Sequence, residues 1–153
     1  MNAWLWCGAA LLGAGVPAVV WGVASGPLAR RVLVQNAGST VVALAFLLIA
    51  QGYGRPSYVD LSLVLSLLGP AGTLVYVRLL ADDLPVGRPR GATAVTALCV
   101  AGSLTVTVAV CAATPFGRPM LKLLLIGTLV SFGNVIASRA LSVGVVKKAD
   151  AAR

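Results

Sequence analysis

Few residues in this chain can do chemistry, and one of them stands where a charge is costly. Asp60 lies about one turn inside the apolar run that opens near Ser57. A charged side chain within a membrane segment costs on the order of 3 kcal/mol at the bilayer centre, so such a residue marks an ion path or a polar contact unless its position explains it away. Two readings follow for Asp60. It serves an ion or proton path, or a contact with a neighbouring chain. Alternatively, it touches interfacial water or caps the start of its helix.

The other three acids, Asp82, Asp83 and Asp150, fall in polar connections, where solvated loop charges are the ordinary reading. The chain has no histidine and no glutamate, so acid–base catalysis has no pair of groups to work with. No phosphate-cradling loop or nucleophile elbow occurs. Gly13-Ala14-Gly15 sits in the middle of an apolar run, where close packing explains it. The chain is not expected to be an enzyme, and no cofactor is implied.

A second set of residues is polar but uncharged. The stretch Gln35-Asn36-Ala37-Gly38-Ser39-Thr40 is unusually polar for the opening of an apolar run. Asn36, Ser39 and Thr40 can offer neutral donors and acceptors to an ion path or to a polar contact between subunits. They do not make a transport route by themselves. A sodium ion needs several oxygen ligands, and a proton relay needs a series of titratable groups. Cys7, Cys99 and Cys111 form no CxxC or Cys/His cluster, so neither a zinc site nor a disulfide framework is expected. Small buried packing residues are the expected role of all three.

The elements that carry these residues follow from composition. Apolar residues make up 59% of the 153, charged residues only 10%, and mean hydropathy is +0.96. Residues 1–29, 32–54 and 91–117 contain no charge, and each run exceeds the roughly 20 residues that cross a hydrocarbon core. The expected fold is therefore all-α: an integral membrane bundle of about five transmembrane helices. A β-barrel would need alternating strands of about ten residues, whereas Leu44–Ala50 and Leu121–Ile126 are continuously apolar.

The predicted helices span about Ala3–Ala24, Val32–Gln51, Ser57–Leu80, Gly91–Ala113 and Met120–Val146. The first lacks a basic leader and is read as a retained helix, kinked at Pro17. Its Trp4 and Trp21 stand 17 residues apart, roughly 25 Å at 1.5 Å per residue, which suits two interfacial belts. Gly8, Gly15 and Gly22 recur every seven residues and make a smooth face. Ser62, Ser66, Gly69 and Thr73 share a face of the third helix. Thr96, Cys99, Ser103, Thr107 and Cys111 share one on the fourth, and Gly127, Ser131, Asn134 and Ser138 one on the fifth. The glycine stripe and the Gly127–Ser131–Asn134 face are expected to meet partner subunits, since lipid-facing positions favour larger apolar residues.

A net charge of +8 would suggest nucleic acid in a soluble domain. Here the basic residues lie in the connections between apolar runs with no aromatic residues interleaved, so positive-inside topology accounts for them. Arg30, Arg31, Arg78, Arg88, Arg90, Arg139, Lys147, Lys148 and Arg153 fall on one side of five crossings. Arg55, Arg118 and Lys122 fall on the other. Nine against three places the N-terminus outside and the C-terminus in the cytoplasm.

Two stretches resemble a known family. Arg31-Val32-Leu33 followed by Val41-Val42-Ala43-Leu44, then Tyr58-Val59-Asp60-Leu61-Ser62 through Gly69 and Val75-Tyr76-Val77-Arg78, are similar to the F component of the Mrp-type multisubunit cation/proton antiporters. That small three-helix component typically opens its third helix with an aromatic-aliphatic-Asp triplet and closes it on an arginine. Met120-Leu121-Lys122-Leu123-Leu124-Leu125-Ile126 and Asn134-Val135-Ile136-Ala137-Ser138-Arg139-Ala140 resemble the last two helices of the G component of the same complexes.

The resemblance implies an F-like unit over 1–83, a cytoplasmic linker over 84–90 and a G-like two-helix unit over 91–153 with a short basic tail. It departs from the family where Ser39-Thr40 and Ala45 stand near the places of acids in the second helix. It departs again where the arginine-rich, histidine-containing loop of the G component is missing and Ser138 stands where a histidine is expected. The acids through which the resemblance would imply direct cation handling are thus absent.

What remains is an accessory subunit of a monovalent cation/proton antiporter in a bacterial cytoplasmic membrane. Its partners would be other antiporter subunits and the lipid bilayer, without nucleic acid. A membrane scaffold or assembly protein of an unrelated complex, or a small stand-alone transporter, are the competing classes.

Overall fold

A computed structural model describes residues 2–80 and 91–151, with side chains as far as Ala140. The expected linker over 84–90 lies outside the described residues, as do the side chains of the basic tail. Five helices follow one another: α1 (Ala3–Ala24), α2 (Leu28–Tyr53), α3 (Ser57–Leu79), α4 (Ala92–Ala112) and α5 (Arg118–Ala151). Each is long and apolar enough to cross a membrane. The described residues form an all-helical membrane bundle.

Local chemistry sets the helix ends. α2 begins directly after Pro27, whose backbone is extended, and ends at Gly54 in the left-handed region at φ 63°. That conformation suits glycine because it lacks a Cβ. Pro56 then precedes α3, so the α2–α3 turn is only three residues long. α2 starts four residues earlier than the apolar run predicts, taking Arg30 and Arg31 into its first turn. The apolar run marks what lies in lipid, whereas the helix continues into the interface, where arginines stay solvated. α1 and α3 run unbroken through Pro17 and Pro70.

α2 is the central helix and packs against each of the other four. Its most apolar stretch is 61% buried, against 11% for α1. The main core joins Leu44, Leu47 and Leu48 of α2 to Val110 of α4 and to Leu123, Ile126 and Val130 of α5. A smaller cluster at the opposite end joins Ala29, Val32 and Leu33 to Ala92. Lipid is as apolar as these side chains, so the bundle depends on close packing and interhelical hydrogen bonds rather than on expulsion of water.

α1 touches α2 alone among the described helices. Its glycine stripe supplies the contact. A Cβ on Gly15 would stand 2.6 Å from Val41 Cγ1, and one on Gly22 would stand 2.8 Å from Val34 Cγ1. At Gly8 the nearest atom, on Ile49, would be 3.4 Å away. This stripe therefore faces the chain's own second helix, the only described helix on which α1 packs. Trp6 and Trp21 point outward, 63% and 75% exposed.

Of the cysteines, Cys7 departs from the expected buried role. It is exposed, while Cys99 and Cys111 are half-buried. Cys111 packs against the main apolar core.

Candidate functional site

The densest polar cluster lies deep between α2 and α5. Asn36 Nδ2 donates to Asn134 Oδ1 at 2.8 Å. Asn134 Nδ2 donates in turn to Thr40 Oγ1 at 2.9 Å and to the Val130 carbonyl at 2.9 Å. The Thr40 hydroxyl and the Ser39 hydroxyl both donate to the Asn36 carbonyl. Asn36, Thr40 and Asn134 are 3%, 6% and 4% exposed. The directions of these bonds fix the amides: turning Asn36 over would set two carbonyl oxygens against each other.

One acceptor of the cluster is left over. Asn36 Oδ1 is buried without a hydrogen-bond partner, and it lies 3.6 Å from where a Cβ on Gly69 of α3 would stand. That Cβ would also overlap the Ser39 hydroxyl, so glycine at 69 lets α3 close over the polar turn of α2. Beside it is a cavity of about 170 Å³ lined by Gln35, Asn36, Ser39, Gly69, Thr73 and Tyr76, among others. Every polar group named here is neutral. The cluster can exchange hydrogen bonds and hold helices together, but it has no group that carries charge.

The remaining small polar residues act as local ties. The Ser62 hydroxyl crosses from α3 to the Ala43 carbonyl of α2 at 2.8 Å, whereas Ser66 and Thr73 bond carbonyls of their own helix. Ser103 of α4 and Ser131 of α5 share a hydrogen bond of 3.1 Å. Gly127 makes room for Thr107 of α4, and Gly133 for Pro70 of α3.

Asp60 is not part of the deep cluster. It stands in the first turn of α3, two to three turns from Gly69, and its side chain is 59% exposed. Nor does it cap the helix, since the start of α3 has no side-chain cap. It accepts a bond of 3.0 Å from Lys122 Nζ near the start of α5. The pair ties α3 to α5 at the surface.

The asparagine cluster and the acid–lysine pair share a feature. Each links the α2–α3 hairpin to α5. Residues 29–81 match the family described as multiple resistance and pH regulation protein F (MrpF / PhaF). The match takes in nearly all of α2, the turn and α3, which is 53 of the 153 residues (29 to 81 inclusive). α1, α4 and α5 lie outside it. No curated protein and no solved structure matches the chain. The matched segment thus holds Asn36, Ser39, Thr40, Asp60, Ser62 and Ser66, while Asn134 and Lys122, the partners of Asn36, Thr40 and Asp60 in α5, stand outside it.

Of the residues expected from sequence to handle ions or polar contacts, Asn36, Ser39 and Thr40 come together and Asp60 stands apart. Sequence reasoning missed Lys122 as its partner and missed the pairing of Asn36 with Asn134. Helix parity could have found both. Asp60 and Lys122 each open an odd-numbered helix, so they emerge at the same end of the bundle. Asn36 lies 17 residues before the end of α2 at Tyr53, and Asn134 lies 16 residues after the start of α5 at Arg118. Those counts set them at one depth.

Proposed function

We propose that the chain is an accessory membrane subunit of a multisubunit monovalent cation/proton antiporter, an F-like unit extended by a C-terminal helical pair in the manner of the G component. The match of residues 29–81 to the MrpF/PhaF family carries this reading, because that segment includes the helix on which the whole bundle packs. The charge count supports an N-terminus outside and a C-terminus in the cytoplasm of a bacterial cell.

Its contribution is structural. Neutral amides and hydroxyls hold α5 to the F-like hairpin, and the outward faces of α1, α3 and α4 remain for lipid and larger subunits. Proton and cation movement would run through subunits with series of titratable groups. The test is deletion and complementation in a strain that carries the large antiporter subunits, with cation-driven proton release measured in inverted membrane vesicles. The chain should co-purify with those subunits, and its loss should abolish antiport through failed assembly. Unchanged antiport without it, or purification with an unrelated complex, would refute the assignment.

A further inference from the structure

A cavity of about 540 Å³ opens at the end of the bundle that carries the α2–α3 and α4–α5 turns. Leu47, Val110 and Leu123 of the main apolar core lie beneath it, buried, and Pro56, Val59 and Pro119 supply its accessible apolar wall. Its rim carries three cations, Arg55, Arg118 and Lys122. The Gln51 amide reaches the Ala113 carbonyl at 3.4 Å and joins the two turns beside the cavity. Both turns end membrane-crossing helices, so the cavity stands at the level where hydrocarbon gives way to headgroups.

The charges at this rim are unbalanced. Lys122 is paired with Asp60. Among the described residues, neither Arg55 nor Arg118 forms an ion pair with a carboxylate. Two guanidinium groups on the same rim are suited to bidentate contacts with phosphate oxygens. A volume of this size falls in the roughly 300–1,000 Å³ range of small-molecule sites. A free phosphate would leave the apolar wall of Pro56, Val59 and Pro119 bare, and an apolar molecule would leave the arginines unmatched.

We propose that this cavity binds an anionic phospholipid, its phosphodiester against Arg55 and Arg118 and the first carbons of its acyl chains over Pro56, Val59 and Pro119. The site joins the MrpF/PhaF segment to α5 and does not depend on the antiporter reading.

The full chain, reconstituted in nanodiscs of phosphatidylcholine with added phosphatidylglycerol and then released for native mass spectrometry, should retain phosphatidylglycerol. Replacing both arginines with glutamine (Arg55→Gln with Arg118→Gln) should lower retention about thirtyfold, each contributing on the order of fivefold at a membrane surface. Arg55→Lys with Arg118→Lys should restore part of it. Circular dichroism checks that the variants keep their helices, and lipid competition on the unaltered chain tests the site without any variant. Equal retention by the glutamine variant would overturn the proposal. Equal retention of phosphatidylcholine, or displacement of the lipid by excess inorganic phosphate, would do so as well, the latter making the site one for a free anion.

Discussion

Asn36 and Asn134, 98 positions apart in sequence, meet through a 2.8 Å hydrogen bond in the interior of the bundle. Around them, Asn134 also reaches Thr40 and a carbonyl of its own helix. Replacing Asn134 with leucine removes the acceptor of Asn36 Nδ2 and leaves Asn36 with neither amide atom satisfied. A buried polar group without a partner costs about 1–3 kcal/mol. Unfolding in mixed detergent micelles should shift by that amount. A double-mutant cycle with Asn36→Ala and Asn134→Ala should give a coupling of about 0.6 kcal/mol, and up to ~1.7. Strictly additive losses would mean that the contact holds nothing together.

The glycine stripe of α1 leads to a prediction about assembly. A side chain at Gly15 points at Val41, with even a Cβ falling 2.6 Å from its Cγ1. Gly15→Leu should therefore lower the amount of folded chain, with an overpacking cost of about 1–3 kcal/mol. Co-purifying partners should fall in proportion to the chain and no further. Val41→Ala should recover part of a Gly15→Ala defect, as expected for two residues in direct contact. Full retention of the chain with selective loss of partners would move the stripe to an intersubunit surface.

Much of this fold is legible in the sequence because membrane helices announce themselves by length and hydropathy. The boundaries of α1 and α3 fall within a residue of the apolar runs, and the small-residue faces of α3, α4 and α5 hold Ser62, Ser103 and Asn134, all of them buried. Which face meets which helix is less legible. Gly8, Gly15 and Gly22 look alike whether the neighbour is α2 or another subunit, since both offer apolar side chains. Asn36 and Asn134 read as separate polar residues because sequence spacing reports on one helix at a time. Asp60 draws attention as an isolated acid in an apolar run, yet its lysine lies 62 residues away. Electrostatic pairing across a bundle leaves no local pattern.

Orientation gives a third test. On the charge count, the end that carries Arg30, Arg31 and Arg78 is cytoplasmic and the end that carries Arg55, Arg118 and Lys122 is outside. A reporter enzyme active only in the periplasm should be silent when fused after Arg153 and active when inserted in the turn at Arg55. The reverse pattern would invert the topology and place the Asp60–Lys122 pair at the cytoplasmic face.

The last prediction concerns what Asp60 does beyond its pairing. The ion pair with Lys122 spans 3.0 Å, but the Lys122 and Asp60 side chains are 56% and 59% exposed, and exposed pairs contribute only about 0.2–1 kcal/mol. If holding α3 to α5 is its whole role, Asp60→Asn should cost no more than that. The amount of assembled complex should then fall slightly, and antiport per complex should stay the same. Exchanging the charges, with Asp60→Lys and Lys122→Asp together, should return the complex to its original level, because the attraction is symmetric while the position of the acid is not. A carboxylate needed by an ion path behaves differently. Asp60→Asn would then lower activity per complex at constant complex, and the exchanged pair would stay inactive despite normal assembly. Its surface position and its ready partner favour the first outcome. Activity normalised to assembled complex in the exchanged variant decides the matter, since it restores the pair while moving the acid from α3 to α5.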